Sequence, residues 1–416
     1  MNIKADVCII GAGSGGVAAA YSAAKCAPEK TIVLIEAYGM LGGTSTVGGV
    51  NAWEPGVVGN SILHRMYYDE LQRNDDAIVA SYFRTTARPR LCAWVEEDKK
   101  LTYEDTFYHE APGRIVFDPC AMHNVMERSL MKLGNVKILY HTVLVDAVAS
   151  NGHIVSVSAY SSLLSEMVTI EAPLYIDASA EIVLARMAGC KAERSDKPNG
   201  VSQMFIVERK GYRAVDPMPE WVLETGAMDW IVSKDPDVIF NRYPDGRYNV
   251  NTLPTMEGYE YISFSADAKQ VALARTYAMW HVLQKERGMD DHRLSYIFPM
   301  LGVREGYRLV GKHVLCEDDI RSYNKKDEGK YIAFADHSLD VHSAENKKTA
   351  QALSHEYGIP LECCLANEID NIAVACRGLS VSDMVASSCR LQRTMMQIGE
   401  SVGKIAAQAK GESFHR

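Results

Sequence analysis

Three glycines, at 11, 13 and 16, and a glutamate at 36 are the first residues whose types and spacing point to a ligand. They lie in "DVCIIGAGSGGVAAAYSAA" (6–24) and at the end of "TIVLIE" (31–36). A pyrophosphate needs backbone N–H groups and no side chain in the way. Gly11 permits a tight turn, Gly13 lets the backbone approach the phosphates, and Gly16 lets the next helix pack close to the strand. The N-terminus of that helix, at Ser14, offers free N–H groups to an anion. Glu36 stands 20 residues past Gly16; its carboxylate can accept hydrogen bonds from a ribose diol and repels a 2′-phosphate. The order strand, glycine turn, helix, strand, acid separates a dinucleotide fingerprint from an ordinary glycine-rich turn.

A second glycine-dense stretch, "YGMLGGTSTVGGVNAW" (38–53), follows the acid directly and has no apolar periodicity. Such density serves a flexible linker or a backbone pressed against a ligand. Its place straight after the acidic strand favours the ligand. Candidates for handling charge or a proton come later. Arg304 in "GVREGYR", followed by Tyr307 and Arg308, can grip a carboxylate or enolate bidentately, or it can form a structural ion pair with Glu305. His64, on an amphipathic segment, is a proton carrier or a satisfied core residue. Arg390 and Arg393 stand before the last helix and can neutralise an anion. Asn51 and Trp53 end the second loop and either line a ligand or belong to the core.

The elements that must position these residues are legible in outline. Apolar runs at 5–10 and 31–36 read as strands buried on both faces. Residues 60–75 look helical. In "FDPCAMHNVMERSLMKLGNV" Asp118 is an N-cap, Pro119 takes the first helical position and Gly134 lies past the end. A β-meander follows: "ILYHTVLVDAVAS", the hairpin signal Asn151-Gly152, "HIVSVSAYS" and "EMVTIEA". "PLYIDASAEIVLARMAG" is a strand running into a helix. From 200 to 290 aromatic and polar residues mix, with one long helix over 266–284. "NIAVAC" is the last strand, and a helix over 394–409 carries Gly399 and Gly403 four apart. Residues 76–116 and 316–350 show no clear pattern. The expected fold is α/β: a Rossmann-like parallel sheet with a β-meander and a C-terminal helix. It is built discontinuously from 1–199 and 291–416, with an inserted α+β cap domain at 200–290, to which 76–116 also stands close.

Composition narrows the class. The chain has 416 residues, 47% apolar and 23% charged, with a formal charge of −9 and no block of like charge. Nucleic acid and anionic membrane are therefore not expected partners. Ten cysteines are scattered without CxxC, zinc or iron–sulfur spacing, and the adjacent Cys363 and Cys364 suit no ordinary disulfide. Free thiols in a reducing cytoplasm are expected. Asp6 and the glycines at 11–16 interrupt what looks like a secretory leader. No run reaches the roughly 18 apolar residues of a membrane span.

Taken together, the fingerprint, the "LGGT" loop, the meander, the "DASA" strand end and a C-terminal "MxxGxxxGxxAAxA" helix resemble flavoproteins that bind FAD in the glutathione-reductase manner. The nearest likeness is the family of FAD-dependent oxidoreductases, distant relatives of fumarate reductase flavoproteins. It is carried by "LGGTSTVGGVNAW", "LGVREGYRLVG" and 376–409. The resemblance implies that Gly11, Gly13 and Gly16 hold the pyrophosphate and Glu36 the ribose, with Ser14 and Ala37 beside them. Gly42, Gly43 and Thr44 would run along the ribityl chain. Val143 would meet adenine through its backbone, and Asp177 and Ala178 would flank the diphosphate. The C-terminal helix, with Met395 and Gly399, would turn its positive end to the flavin. Relatives with covalent flavin carry a His where this loop reads Thr44-Ser45-Thr46, so FAD is expected without a covalent link. Where relatives often have a His near the C-terminal segment, this chain has Asp383, which with Ser380 also fits a capping box. The resemblance implies hydride transfer between FAD and a small hydroxylated or carboxylated organic substrate. A flavoprotein hydratase or isomerase without net redox, an NAD-binding dehydrogenase and a non-enzymatic binding module are the alternatives. No second fingerprint follows a later strand, so a dedicated NAD(P)H domain is not expected. Oxygen, a quinone or a partner protein stay open as the electron acceptor, and the oligomeric state stays open too.

Overall fold

Five short apolar segments assemble into one parallel sheet in the order Ile372–Val374, Leu174–Asp177, Val7–Ile10, Ile32–Ile35, Val136–Leu139. The computed structural model describes residues 1–54, 58–73, 77–82, 113–243, 245–343 and 350–414. The inner strands are buried throughout, which is why they read as unbroken apolar runs rather than alternating ones. Register sets the function of this sheet. Ile10 pairs with both Ile35 and Asp177, so Gly11, Glu36 and Ala178 leave the sheet side by side at its carboxyl edge. That edge is where α/β sheets bind ligands.

The helix Ser14–Cys26 leaves the first glycine turn and packs against the C-terminal helix Gln392–Gln408. Only glycine fits their seam. A Cβ on Gly399 would lie 2.0 Å from the Gly15 carbonyl oxygen, and one on Gly403 would lie 2.2 Å from that of Ala19. Helix Pro119–Met131 is capped as its sequence indicates, with the Asp118 carboxylate accepting from the Cys120 and Ala121 N–H groups. The meander is Thr142–Ser150, His153–Ser161 and Glu166–Glu171, joined first by a turn with Asn151 and Gly152 both at positive φ. Asn2–Lys4, too short to show a pattern, adds to it in parallel beside Glu166–Glu171.

A second, antiparallel sheet runs Asp237–Arg242, Tyr248–Leu253, Met204–Arg209, His292–Ile297. Its core of Phe205, Val207, Phe240 and Val250 is covered by Trp280 and Leu283 of helix Ala268–Glu286. His292–Ile297 pairs with Met204–Arg209, so this sheet extends past the boundary expected at 290. Strands Ile78–Tyr82 and Gly113–Phe117, in the stretch without a readable pattern, pair with each other, and Gly113–Phe117 pairs on its other edge with Ala52–Trp53; 83–112 lie outside the described residues. In the other unreadable stretch, helix Glu317–Ser322 precedes strand Tyr331–Ala335, which pairs with Tyr357–Pro360. Among the described residues no helix is long and apolar enough to cross a membrane. The nine described cysteines are free, Cys363 and Cys364 included.

The helix seam makes a direct prediction. Gly403→Ala places a methyl against backbone far from any ligand wall, and should lower the unfolding free energy by about 1–3 kcal/mol in urea denaturation.

Candidate functional site

The carboxyl edge of the parallel sheet opens into a cavity of about 690 Å³, within the range of small-molecule clefts. Gly13, Ser14, Gly42, Thr44 and Ala178 form one wall, and Asp237, Ile239, Asn251 and Leu253 of the second sheet form the facing one. Arg304, His337, Asp340, His342 and the run Arg390 to Arg393, with Met395, close the rest. The two glycine loops touch: Gly42 donates its N–H to the Ala12 carbonyl at 2.7 Å, and a Cβ on Gly43 would stand 3.2 Å from Gly13 Cα.

The first turn divides its glycines by task. A Cβ on Gly11, at φ +93°, would lie 2.5 Å from the Ala178 oxygen, and one on Gly16 would lie 1.9 Å from the Gly11 oxygen. Those two are required by packing. A Cβ on Gly13 would meet nothing within 4 Å, and no side chain caps the helix that Gly13 begins. Open space beside uncapped N–H groups fits the pyrophosphate of a dinucleotide. Glu36 is buried, accepting from the Ala12 and Tyr38 N–H groups at 2.8 Å each. Burial pushes its pKa up against those two bonds, and each oxygen keeps a lone pair for a ribose hydroxyl. The second loop is tied to itself: Ser45 and Thr46 donate to the Gly42 and Leu41 carbonyls at 2.8 and 2.6 Å. His123 Nδ1 accepts the Leu41 N–H at 3.1 Å and anchors the loop from outside.

Several expected site residues lie off the cavity. Gly399 meets the Gly15 backbone, so it serves the helix seam rather than a cofactor. Asp177 is fully buried and accepts from the Ser179 hydroxyl at 2.6 Å and the Ala185 N–H at 2.9 Å, bracing the turn after its strand. Val143 is half exposed on the meander, and Ala37 is exposed beside Glu36. His64 is fully buried, its ring 4.1 Å from that of Trp53. Burial, with the charge of Arg393 added, draws it down to about 3. It is therefore a neutral core imidazole and not the proton carrier expected. Trp53, though buried, still contributes to the cavity wall.

The charged wall differs from the expected one in its pairings. Arg304 donates through Nη1 to the Gly200 carbonyl at 2.7 Å and to Ser202 Oγ at 3.0 Å. Glu305 pairs with Arg308 at 2.5 Å instead of with Arg304. Arg308 also reaches Asp383, and the cap of the helix Asp383–Cys389 is Ser382, whose hydroxyl accepts from Val385, not Ser380. Arg393 is held in a buried ion pair with Asp336. The pair sequence reasoning missed is Asp340 and His342, with Nε2 3.0 Å from the carboxylate. Burial and the charge of Arg304 draw His342 down to about 4, while its bond to Asp340 pulls the other way. Burial alone would raise Asp340, but the bond from His342 and the charges of His342, Arg390 and His337 hold it well below the usual carboxylate range. The D-x-H spacing at 340–342 was the one available signal, in a stretch with no periodicity to frame it. Also missed was Arg377, which pairs with Glu181 at 2.5 Å and donates to the Ala180 carbonyl. It braces a turn in which Ala180 and Ile182 both hold positive φ, a strained conformation beside the cavity.

The model of the FAD-dependent oxidoreductase family matches residues 6–415. No curated protein matches the sequence. Among solved structures, a geranylgeranyl bacteriochlorophyll reductase-like protein from Thermoplasma acidophilum is similar at TM-score 0.46 and 12% identity, over 98% of this chain and 78% of that one. A flavoprotein/dehydrogenase from Cytophaga hutchinsonii gives 0.47 and 12%, over 98% and 78%. The p-nitrophenol 4-monooxygenase of Pseudomonas putida gives 0.42 and 11%, over 75% and 70%.

Two outcomes are expected. Gly13→Ala has room for its methyl, so its unfolding free energy without cofactor should stay within about 0.5 kcal/mol of the parent; its FAD affinity, read by fluorescence titration, should fall by about tenfold or more. His64 refuses a proton in the folded chain that it accepts in the unfolded chain below its ordinary pKa of 6.5, so its contribution to stability is lost as pH falls from there toward about 3. His64→Gln should therefore flatten the acid limb of stability against pH by about 1.4 kcal/mol per unit, measured by urea denaturation between pH 6.5 and 5.

Proposed function

The chain belongs to the FAD-dependent oxidoreductase family, and on that premise we propose that it moves a hydride between non-covalently bound FAD and a small organic substrate held in the same cavity. The observation that carries this reading is the shared space: Gly13 and Gly42 of the glycine loops and Asn251 and Leu253 of the second sheet line one cavity. When bound, the flavin supplies the hydride acceptor or donor, and the chain supplies position, charge and a proton site.

Each wall has a task. The uncapped N-terminus of helix Ser14–Cys26 binds the pyrophosphate, and Glu36 orients the ribose. The C-terminal helix also begins without a side-chain cap, and its positive end suits negative charge developing on a reduced flavin. Gln392 fixes that end by donating to the Val50 carbonyl at 2.7 Å, joining it to the second glycine loop. The second sheet covers the opposite side and limits the substrate to a small molecule. With the Nε2 proton given to Asp340, His342 keeps a lone pair on Nδ1 that takes the substrate proton as the hydride leaves.

The purified protein should be yellow and release its flavin into the supernatant on acid denaturation. Anaerobic mixing with a panel of hydroxy and carboxylic acids should bleach the flavin with at least one member. A colourless protein that takes up no FAD overturns the reading. A coloured one whose flavin is never bleached, while it still converts a panel member, overturns hydride transfer and leaves catalysis without net redox.

A further inference from the structure

The cavity that the glycine loops open into holds two arginines whose charge is answered by no ion pair among the described residues. We infer that Arg304 and Arg390 form a subsite for the carboxylate of an organic acid, which is the substrate class of this cavity. The inference rests on the cavity being where substrate meets cofactor.

Among the described residues four arginines line the cavity, and two of them are already neutralised: Arg377 by Glu181 and Arg393 by Asp336. Among the described residues Arg304 and Arg390 have no ion-pair partner. Arg304 spends one nitrogen on two neutral acceptors, the Gly200 carbonyl and the Ser202 hydroxyl. The Ser202 hydroxyl is itself fixed, donating to the Thr252 carbonyl at 2.8 Å, so it aims the guanidinium and does not neutralise it. Arg390 has only a marginal contact, 3.5 Å from Nη2 to the Asp340 backbone carbonyl, and its Nε is buried with no hydrogen-bond partner. Asp340, on the same cavity, is hydrogen-bonded to His342 and acts on Arg390 through its charge without forming an ion pair with it. Glu54 acts on Arg390 through space without reaching it in an ion pair.

Two desolvated cations aimed into one space repel each other. Burial first, and then the charge of Arg390, draws Arg304 down to about 9. A fold tolerates such a pair when an anion completes it, and a carboxylate matches the guanidinium fork with two parallel hydrogen bonds. Ile239, Leu253 and Val303 also line the cavity. They suit a carbon skeleton attached to that carboxylate and give an inorganic anion nothing to touch.

The test is a titration of the flavin-loaded protein with acetate, malonate, succinate and benzoate at constant ionic strength, and with inorganic phosphate in a parallel arm. Melting temperature and the flavin spectrum are the readouts. At least one carboxylate should raise the melting temperature saturably. Its affinity should fall by about tenfold or more in Arg304→Met and in Arg390→Met, with flavin retained. Arg304→Lys and Arg390→Lys keep the charge without the fork; should a Met variant not fold, they decide the point by the same loss. Saturation by none of the acids, unchanged affinity in the variants, or phosphate binding as tightly as the best carboxylate each overturns the subsite. Failure of the redox reading shows separately, as a parent protein without flavin, while the melting temperature still reports on the anion.

Discussion

Gly15 is pinned between two backbones. A Cβ there would lie 2.0 Å from the carbonyl oxygen of Ala375, and its own carbonyl occupies the space where Gly399 would carry a side chain. The rest of the site depends on that three-way contact. It presses the first helix against the last and sets both against the end of the last strand of the sheet. The two helix N-termini then arrive at one cavity, since Ser14 and Gln392 both line it. Two positive helix ends are thus brought together by residues from opposite ends of the chain, and the attraction of the site for anionic groups is a property of backbone packing before any side chain is counted.

The charged wall has its own support, and it runs through the interior. Arg308 pairs with Glu305 in a fully buried contact, and Glu305 accepts from both the backbone and side-chain nitrogens of Asn199 at 3.0 Å. Asn199 in turn accepts the His342 N–H at 2.8 Å, and the Gly200 N–H donates to the His342 carbonyl at 2.7 Å. The backbone of His342 is therefore held from below by a chain of charge-assisted bonds, while Asp340 holds its imidazole from the side. Gly200 also accepts from Arg304, so the same short segment places Arg304 and His342 relative to each other.

Local signals carried most of the fold. The buried strands, the Asp118 cap, the Asn151-Gly152 turn and the glycine turn were legible because each depends on residues close in sequence. Pairings between distant segments left no such trace. Asn2–Lys4 and His292–Ile297 become strands only because a partner edge is there to receive them. At the site the failures have one cause. Gly399 and His64 are the right residue types for ligand work, but the sequence does not record which face of a helix the tertiary packing will cover. Glu305 chose Arg308, a turn away, over its neighbour Arg304 for the same reason. Asp340 and His342 went unread because a loop fixed wholly by remote partners has no periodicity.

The last strand of the parallel sheet, Ile372–Val374, lies beside Leu174–Asp177, a segment made almost two hundred residues earlier. While a ribosome builds this chain, the earlier strand waits with a bare apolar edge, and the whole second sheet emerges before its neighbour does. Such an edge is a template for pairing with other nascent chains. Production in a cell should thus depend on holdase chaperones and on slow, cool synthesis far more than the stability of the finished protein suggests.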